Sequence, residues 1–64
     1  RRSIVVIKDI EKDERLSEEN IGLRRPGNGL APSLFESLLG FRSKRVLRKG
    51  DLLQLVDVNN QNEK

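Results

Sequence analysis

Hydrophobic residues along this chain occur in short clusters that polar turns separate. Residues 3–10 are rich in β-branched side chains, and the segment is too short and too uniformly apolar for a surface helix. Residues 11–14 are polar and predict a turn, in which Asp13 suits a position of positive φ. Ser17 is a candidate N-cap for about one turn of helix before Gly22. The first third of the chain is therefore predicted to form a largely buried strand, a turn and a short helical segment.

The most irregular stretch is residues 23–30, L-R-R-P-G-N-G-L. Pro26 fixes its own φ and favours an extended conformation for the residue before it. Gly27 and Gly29 allow positive φ on either side of Asn28. This pattern predicts an ordered loop that presents the preceding arginines at a defined place.

The second half of the chain is predicted to contain a helix and then a hairpin. Pro32 suits the first helical position, the following apolar residues form one helical face, and Gly40 suits the C′ position. Residues 45–55 read as a hairpin with its turn at residues 49–51, and residues 56–58 are expected to close the core. Together these elements predict a small, mostly β domain with short helical turns.

Composition narrows the chemistry that these elements can support. The 64 residues are 34% hydrophobic and include no Cys, His, Trp, Tyr or Met, which excludes thiolate or histidine catalysis, disulfides and zinc fingers. No apolar run approaches the ~20 residues of a membrane span, so we expect no membrane partner and no signal peptide. Because the chain lacks an initial Met and has a small core, we expect a piece of a longer protein. One domain is predicted over residues 1–58, with a polar, disordered tail over residues 59–64.

Charge leaves one arginine as the best candidate for function. Thirteen Lys and Arg against ten Asp and Glu give a net charge of +3, but the signs are interspersed. Nucleic-acid binders add a recognition helix or stacking aromatics, which are missing here, so nucleic acid is the weaker alternative. The acidic residues 9–14 surround a turn among cations and suit neither general acid–base chemistry nor calcium, so no catalytic residue and no metal ligand is predicted. Arg25 precedes a stiff Pro-Gly step, and its guanidinium donors match carboxylates and carbonyl oxygens.

The order of these motifs resembles the C-terminal antifreeze-like domain, of the SAF superfamily, in bacterial sialic acid synthases. The resemblance covers residues 2–58, and its most specific part is L-R-R-P-G-N-G-L-A-P, which is similar to the family's K-R-P-G-x-G-I-x-P loop. Asp13 stands where the family usually has Gly, and Arg24 stands where it usually has Lys. The resemblance implies the β-clip fold that type III antifreeze proteins also have.

The resemblance also implies a function. In this family the domain covers the TIM-barrel active site of the partner subunit in a domain-swapped, cytoplasmic homodimer. The barrel binds phosphoenolpyruvate and a divalent metal (Mn or Mg) and condenses the pyruvate unit with an N-acetylated amino sugar. By position, Arg25 would help hold the N-acetyl group, so the chain itself would be non-catalytic and hold no cofactor. The alternative is a stand-alone SAF-type sugar-binding or assembly module. The residues that would shape the binding loop around Arg25 are Arg24, Pro26, Gly27, Asn28 and Gly29.

Overall fold

The computed structural model describes residues 1–59, in which two antiparallel strand pairs provide the regular sheet. Strand β1 (Ser3–Val6) pairs with β2 (Ile21–Arg24), and β3 (Arg42–Ser43) pairs with β4 (Val58–Asn59). Strands of two to four residues leave most of the chain to turns and single bridges. The predicted mostly β architecture with short helical turns is confirmed.

The first strand is central to the fold, and all four of its residues are buried. The prediction of a largely buried strand is confirmed, but the strand is shorter than residues 3–10. The chain leaves the sheet after β1 and returns to the core at Ile10, which exchanges two backbone hydrogen bonds of 2.8 Å with Leu47. The apolar run therefore supplies two separate pairings, not one continuous strand.

The single turn predicted at Ser17 is present, and β2 follows it directly. The Ser17 carbonyl accepts backbone hydrogen bonds from Asn20 (3.1 Å) and Ile21 (3.0 Å), and its Oγ accepts one from the Glu19 backbone N–H (3.2 Å), as a capping side chain does. Gly22 lies within β2 and ends no helix. The irregular stretch consequently begins at Arg25, two residues later than predicted.

Two turn positions and the helix start are as predicted. Asp13 has a φ of 70°, which an aspartate tolerates better than most residues. The helical segment comprises a 3-10 turn (Pro32–Leu34), which starts with its proline, and helix α1 (Phe35–Leu38). Gly40 follows with a φ of 93°, which confirms the C′ glycine.

The predicted hairpin over residues 45–55 has the right turn and the wrong pairing. Asp51 donates its backbone N–H to the Arg48 carbonyl (3.0 Å), and Gly50 between them has a φ of 97°. The arms then diverge, because the first arm bridges to Ile10 and the second arm bridges to β1. Tertiary pairing replaces the local hairpin ladder.

Most buried hydrophobic residues belong to a single cluster. The prediction that residues 56–58 close the core is correct for Val58 but wrong for Val56, which is 76% exposed. The 3-10 turn Leu55–Asp57 directs its aliphatic side chains outward and buries the carboxylate of Asp57. The members of the cluster are Ile4, Val6, Ile10, Leu16, Ile21, Leu38, Leu47, Leu53 and Val58.

The predicted tail begins at Asn59, which pairs with Arg42 as part of β4. The rest of that tail, residues 60–64, lies outside the described residues. In the described part of the chain, no helix has the length and apolar character needed to cross a membrane.

Candidate functional site

The segment R-P-G-N-G leaves the end of β2 beside the start of β1, where Arg24 is paired with Ser3. The Ser3 side chain is fully buried, and its Oγ donates a hydrogen bond of 2.6 Å to the Pro26 carbonyl. At the far end of the loop, the Leu30 carbonyl accepts a hydrogen bond of 3.2 Å from the Ile4 N–H. Both ends of the loop are therefore fixed to the most deeply buried strand.

The two glycines of the loop are required by close packing, and neither uses the positive φ that glycine allows. A Cβ at Gly27 would lie 2.6 Å from the Arg1 Cβ, a distance that real side chains do not reach. A Cβ at Gly29 would lie 3.1 Å from the Leu52 Cδ2 and 3.2 Å from the Ser3 Oγ. The loop therefore lies flat against residues from the start of the chain and from the second arm of the 45–55 segment.

Arg25 is exposed at the start of this anchored loop. Its peptide bond to Pro26 is cis. Among residues 1–59, the Arg25 guanidinium donates no hydrogen bond and makes no ion pair. Asn28 is also exposed, at the tip between the two packed glycines. All five N–H donors of Arg25 are thus available to an acceptor outside the described residues.

Arg24 lies on the strand and not in the loop that it was predicted to shape. Its Nη1 donates a hydrogen bond of 2.9 Å to the Leu23 carbonyl. The same nitrogen lies 3.1 Å from where a Cβ on Gly22 would stand, so the guanidinium folds back along β2 over that glycine. The structure therefore gives the two neighbouring arginines different surroundings, which charge alone did not predict.

The carboxylates of Asp9 and Asp57 make structural hydrogen bonds. Asp9 accepts a hydrogen bond from the Lys49 N–H (2.8 Å), and this bond, helped by the nearby Arg48 charge, holds the Asp9 pKa below its usual range. Buried Asp57 accepts a hydrogen bond from the Arg45 Nε (2.8 Å). Within residues 1–59, no group of three His, Cys, Asp or Glu side chains is placed to hold a metal ion. Among the described residues, the candidate that sequence reasoning singled out, Arg25, is exposed and has no partner.

The sequence of this chain matches a known family of domains. A family model described as the SAF domain matches residues 1–59. The pseudaminic acid synthase of Helicobacter pylori is 40% identical over 57 residues, which are 89% of this chain and 17% of that protein. The chain therefore spans about a sixth of the length of this curated relative.

Comparison of structures gives the same result for the fold. A solution structure of an antifreeze-protein-like domain, from the human N-acetylneuraminic acid phosphate synthase gene, superposes with a TM-score of 0.87 and 19% identity. That match covers 97% of this chain and 80% of the human one. The crystal structure of a Bacillus subtilis spore coat polysaccharide biosynthesis protein superposes with a TM-score of 0.82 and 34% identity, over 95% of this chain and 18% of that one. The antifreeze-like fold expected from the R-P-G-N-G loop is confirmed.

Proposed function

This chain belongs to the SAF domain family, and we propose that it is the substrate-contacting domain of a synthase that makes a sialic-acid-type sugar. Its 40% identity to a pseudaminic acid synthase supports this role, and the human antifreeze-like domain supports the fold. Because the chain spans only 17% of its curated relative, the condensation chemistry is assigned to the remainder of the protein.

Arg25 is the observation that carries the proposal. Its guanidinium is exposed and unpaired within residues 1–59, while the next residue is held through its carbonyl by Ser3. An arginine on a flexible loop loses backbone as well as side-chain entropy on binding, whereas on an anchored loop only the side-chain part is lost. We assign Arg25 to the carbonyl oxygen of the N-acetyl group of the amino sugar, an acceptor that a guanidinium N–H matches.

The proposed partner is the catalytic TIM-barrel domain of a second subunit, in a domain-swapped homodimer. The barrel would hold phosphoenolpyruvate and a divalent metal, as the resemblance to sialic acid synthases implies. Here the SAF domain would cover the barrel opening and present Arg25 to the sugar. Its own contribution is to bind and orient the substrate and to exclude water.

The test is Arg25→Ala in the full-length synthase, with kinetics measured separately for the amino sugar and for phosphoenolpyruvate. A charge-assisted hydrogen bond contributes about 1.5–3 kcal/mol, so kcat/KM for the amino sugar should fall roughly 10- to 200-fold. The KM for phosphoenolpyruvate should stay close to that of the wild type. Arg25→Lys should restore little activity, because an ammonium does not reproduce the planar fork.

The matched control is Arg42→Ala, which removes an exposed arginine whose Nη1 donates to the Asp13 carbonyl (3.0 Å) in a different turn. This variant should keep the amino-sugar kinetics of the wild type. Equal kinetics for Arg25→Ala and the wild type would disprove the assignment. Equal losses in both variants would show that charge in general, and not the position of Arg25, supports the reaction.

A further inference from the structure

An open cleft of about 380 Å³ lies on the outer face of the β1–β2 pair, beside but separate from the Arg25 loop. Side chains alternate between the two faces of a strand, and Ile4 and Val6 belong to the core cluster. Val5, which pairs with Gly22, therefore faces the other side. The residues that line the cleft are Val5, Val6, Ile7, Arg24, Lys49 and Gly50.

The floor of the cleft is apolar. A Cβ at Gly22 would lie 3.3 Å from both the Cδ1 and the Cγ2 of Ile7, so this half-buried side chain fills the space beside the glycine. The nearby backbone groups are already paired, because Gly50 donates to the Val6 carbonyl (2.7 Å) and Ile7 donates to the Asn20 carbonyl (2.9 Å). The floor therefore offers carbon surface and no free backbone donor from these residues.

The walls of the cleft carry two cations and no anion. Arg24 uses one N–H on the Leu23 carbonyl, which leaves four N–H donors without a partner among residues 1–59. The Lys49 ammonium makes no hydrogen bond or ion pair in the same part of the chain. The carboxylates beside Lys49 are already engaged: Asp9 accepts the Lys49 backbone N–H and the Arg48 side chain, and Asp51 accepts the Arg48 backbone N–H. Two like charges that share one cleft repel each other, and a bound anion would relieve that repulsion.

We propose that this cleft binds a carboxylate whose adjoining carbon atoms contact Ile7. The planar guanidinium of Arg24 can donate to both oxygens of a carboxylate, and the Lys49 ammonium adds a second positive charge. The apolar floor disfavours a fully polar anion such as phosphate. The volume is within the range of small-ligand sites. The carboxylate has two possible sources, a free small organic acid or a Glu or Asp side chain of the rest of the protein. The proposal does not depend on the role of Arg25.

The experiment is a titration of the 64-residue chain with sodium propionate, followed by the backbone amide resonances of Gly22 and Gly50. Sodium chloride and sodium phosphate titrations at the same ionic strength separate binding from charge screening. Propionate should give saturable shifts at both glycines, and chloride should not. Arg24→Gln and Lys49→Gln should each weaken the propionate affinity about 2- to 5-fold, the range of an exposed ion pair. Lys12→Gln, which removes an exposed charge from the first turn, should leave the affinity unchanged.

Each outcome decides the proposal. Shifts that do not saturate, that chloride reproduces, or that Lys12→Gln reduces as much as the other variants would overturn it, and so would phosphate binding as tight as propionate binding. The same titration on the full-length protein identifies the source. If the cleft stays open to propionate, then the ligand is a free acid. If the shifts vanish there and Arg24→Gln moves the Gly50 resonance of the full-length protein to its position in the ligand-free 64-residue chain, then a carboxylate of the protein itself occupies the cleft. If the shifts vanish and that resonance does not move, the proposal is overturned.

Discussion

Replacing Ser3 with alanine tests whether the Arg25 loop is held by one buried hydroxyl. Ser3 is fully buried in β1, and its Oγ donates to the Pro26 carbonyl at 2.6 Å, a normal length for an O–H···O bond. Ser3→Ala retains the Cβ against which Gly29 packs and removes only the donor. The perturbation is therefore confined to the contact between β1 and the loop.

The expected loss follows from the environment of the two partners. An intramolecular hydrogen bond contributes about 1 kcal/mol net, and the cost rises when a buried acceptor is left without a partner. Pro26 is exposed, so water can reach its carbonyl in the variant and the cost should stay near about 1 kcal/mol. In a domain of this size that loss lowers Tm by roughly 4–8 °C.

The assay combines thermal unfolding with amide resonances of Gly27 and Gly29. Ser3→Ala should lower Tm by the stated amount and shift both glycine resonances. If the proposed synthase function is right, it should also raise the KM for the amino sugar in the full-length protein. Ser37→Ala, at an exposed position of α1, is the control and should change stability by less than about 0.5 kcal/mol. An unchanged Tm together with unchanged glycine resonances would refute the claim that Ser3 fixes the loop.

Two further predictions concern the structural carboxylates. Asp57→Ala removes the buried acceptor of the Arg45 Nε and of the Gln54 N–H (3.1 Å). The free energy of unfolding, measured in urea, should therefore fall by about 2–3 kcal/mol. A loss under about 1 kcal/mol would show that these two hydrogen bonds contribute little. Asp9 has a pKa below its unfolded value, so its stabilising contribution is present above about pH 4 and is lost as the pH falls through the lower folded pKa. Asp9→Asn should therefore flatten the acid limb of a Tm-against-pH curve, and an Asp9 carboxyl that titrates at about 3.9 or above would contradict this.

Turn chemistry was predictable from the sequence because it is local. The positive φ of Asp13, the C′ position of Gly40 and the proline that starts the helical segment each depend on a few adjacent residues, and all three are confirmed. Strand pairing was not predictable in the same way. The arms of the 45–55 segment are both apolar and flank a good turn, yet they pair with Ile10 and with β1. Nothing within that segment distinguishes a local partner from a distant one.

The glycines show the same limit at the candidate site. Gly27 and Gly29 were assigned to backbone freedom, whereas the structure uses them to let the loop approach Arg1 and Ser3, more than 20 positions earlier in the chain. Gly22 was read as the end of a helix, but it provides the space in which the Arg24 guanidinium lies. Arg25 is a candidate from its own neighbours alone, and its role stays a prediction, whereas the contacts that Arg1 and Ser3 make with its loop could not be predicted.

Buried polar side chains hydrogen-bond to the loop backbone and so order the loops of a domain that has little regular sheet. Four polar residues are buried in the described part of the chain, and no buried side-chain N or O atom there lacks a hydrogen-bond partner. Because loop backbone groups have few strand neighbours, these side chains supply their partners. The Arg25 loop is held in the same way, by the Ser3 hydroxyl on the Pro26 carbonyl, so the fold itself sets the geometry of this loop. Ser3 is thus a positioning residue for Arg25. The four side chains and the backbone segments that they hold are Ser3 with Pro26, Asn20 with Arg15 and Ser17, Ser43 with Arg45, and Asp57 with Gln54.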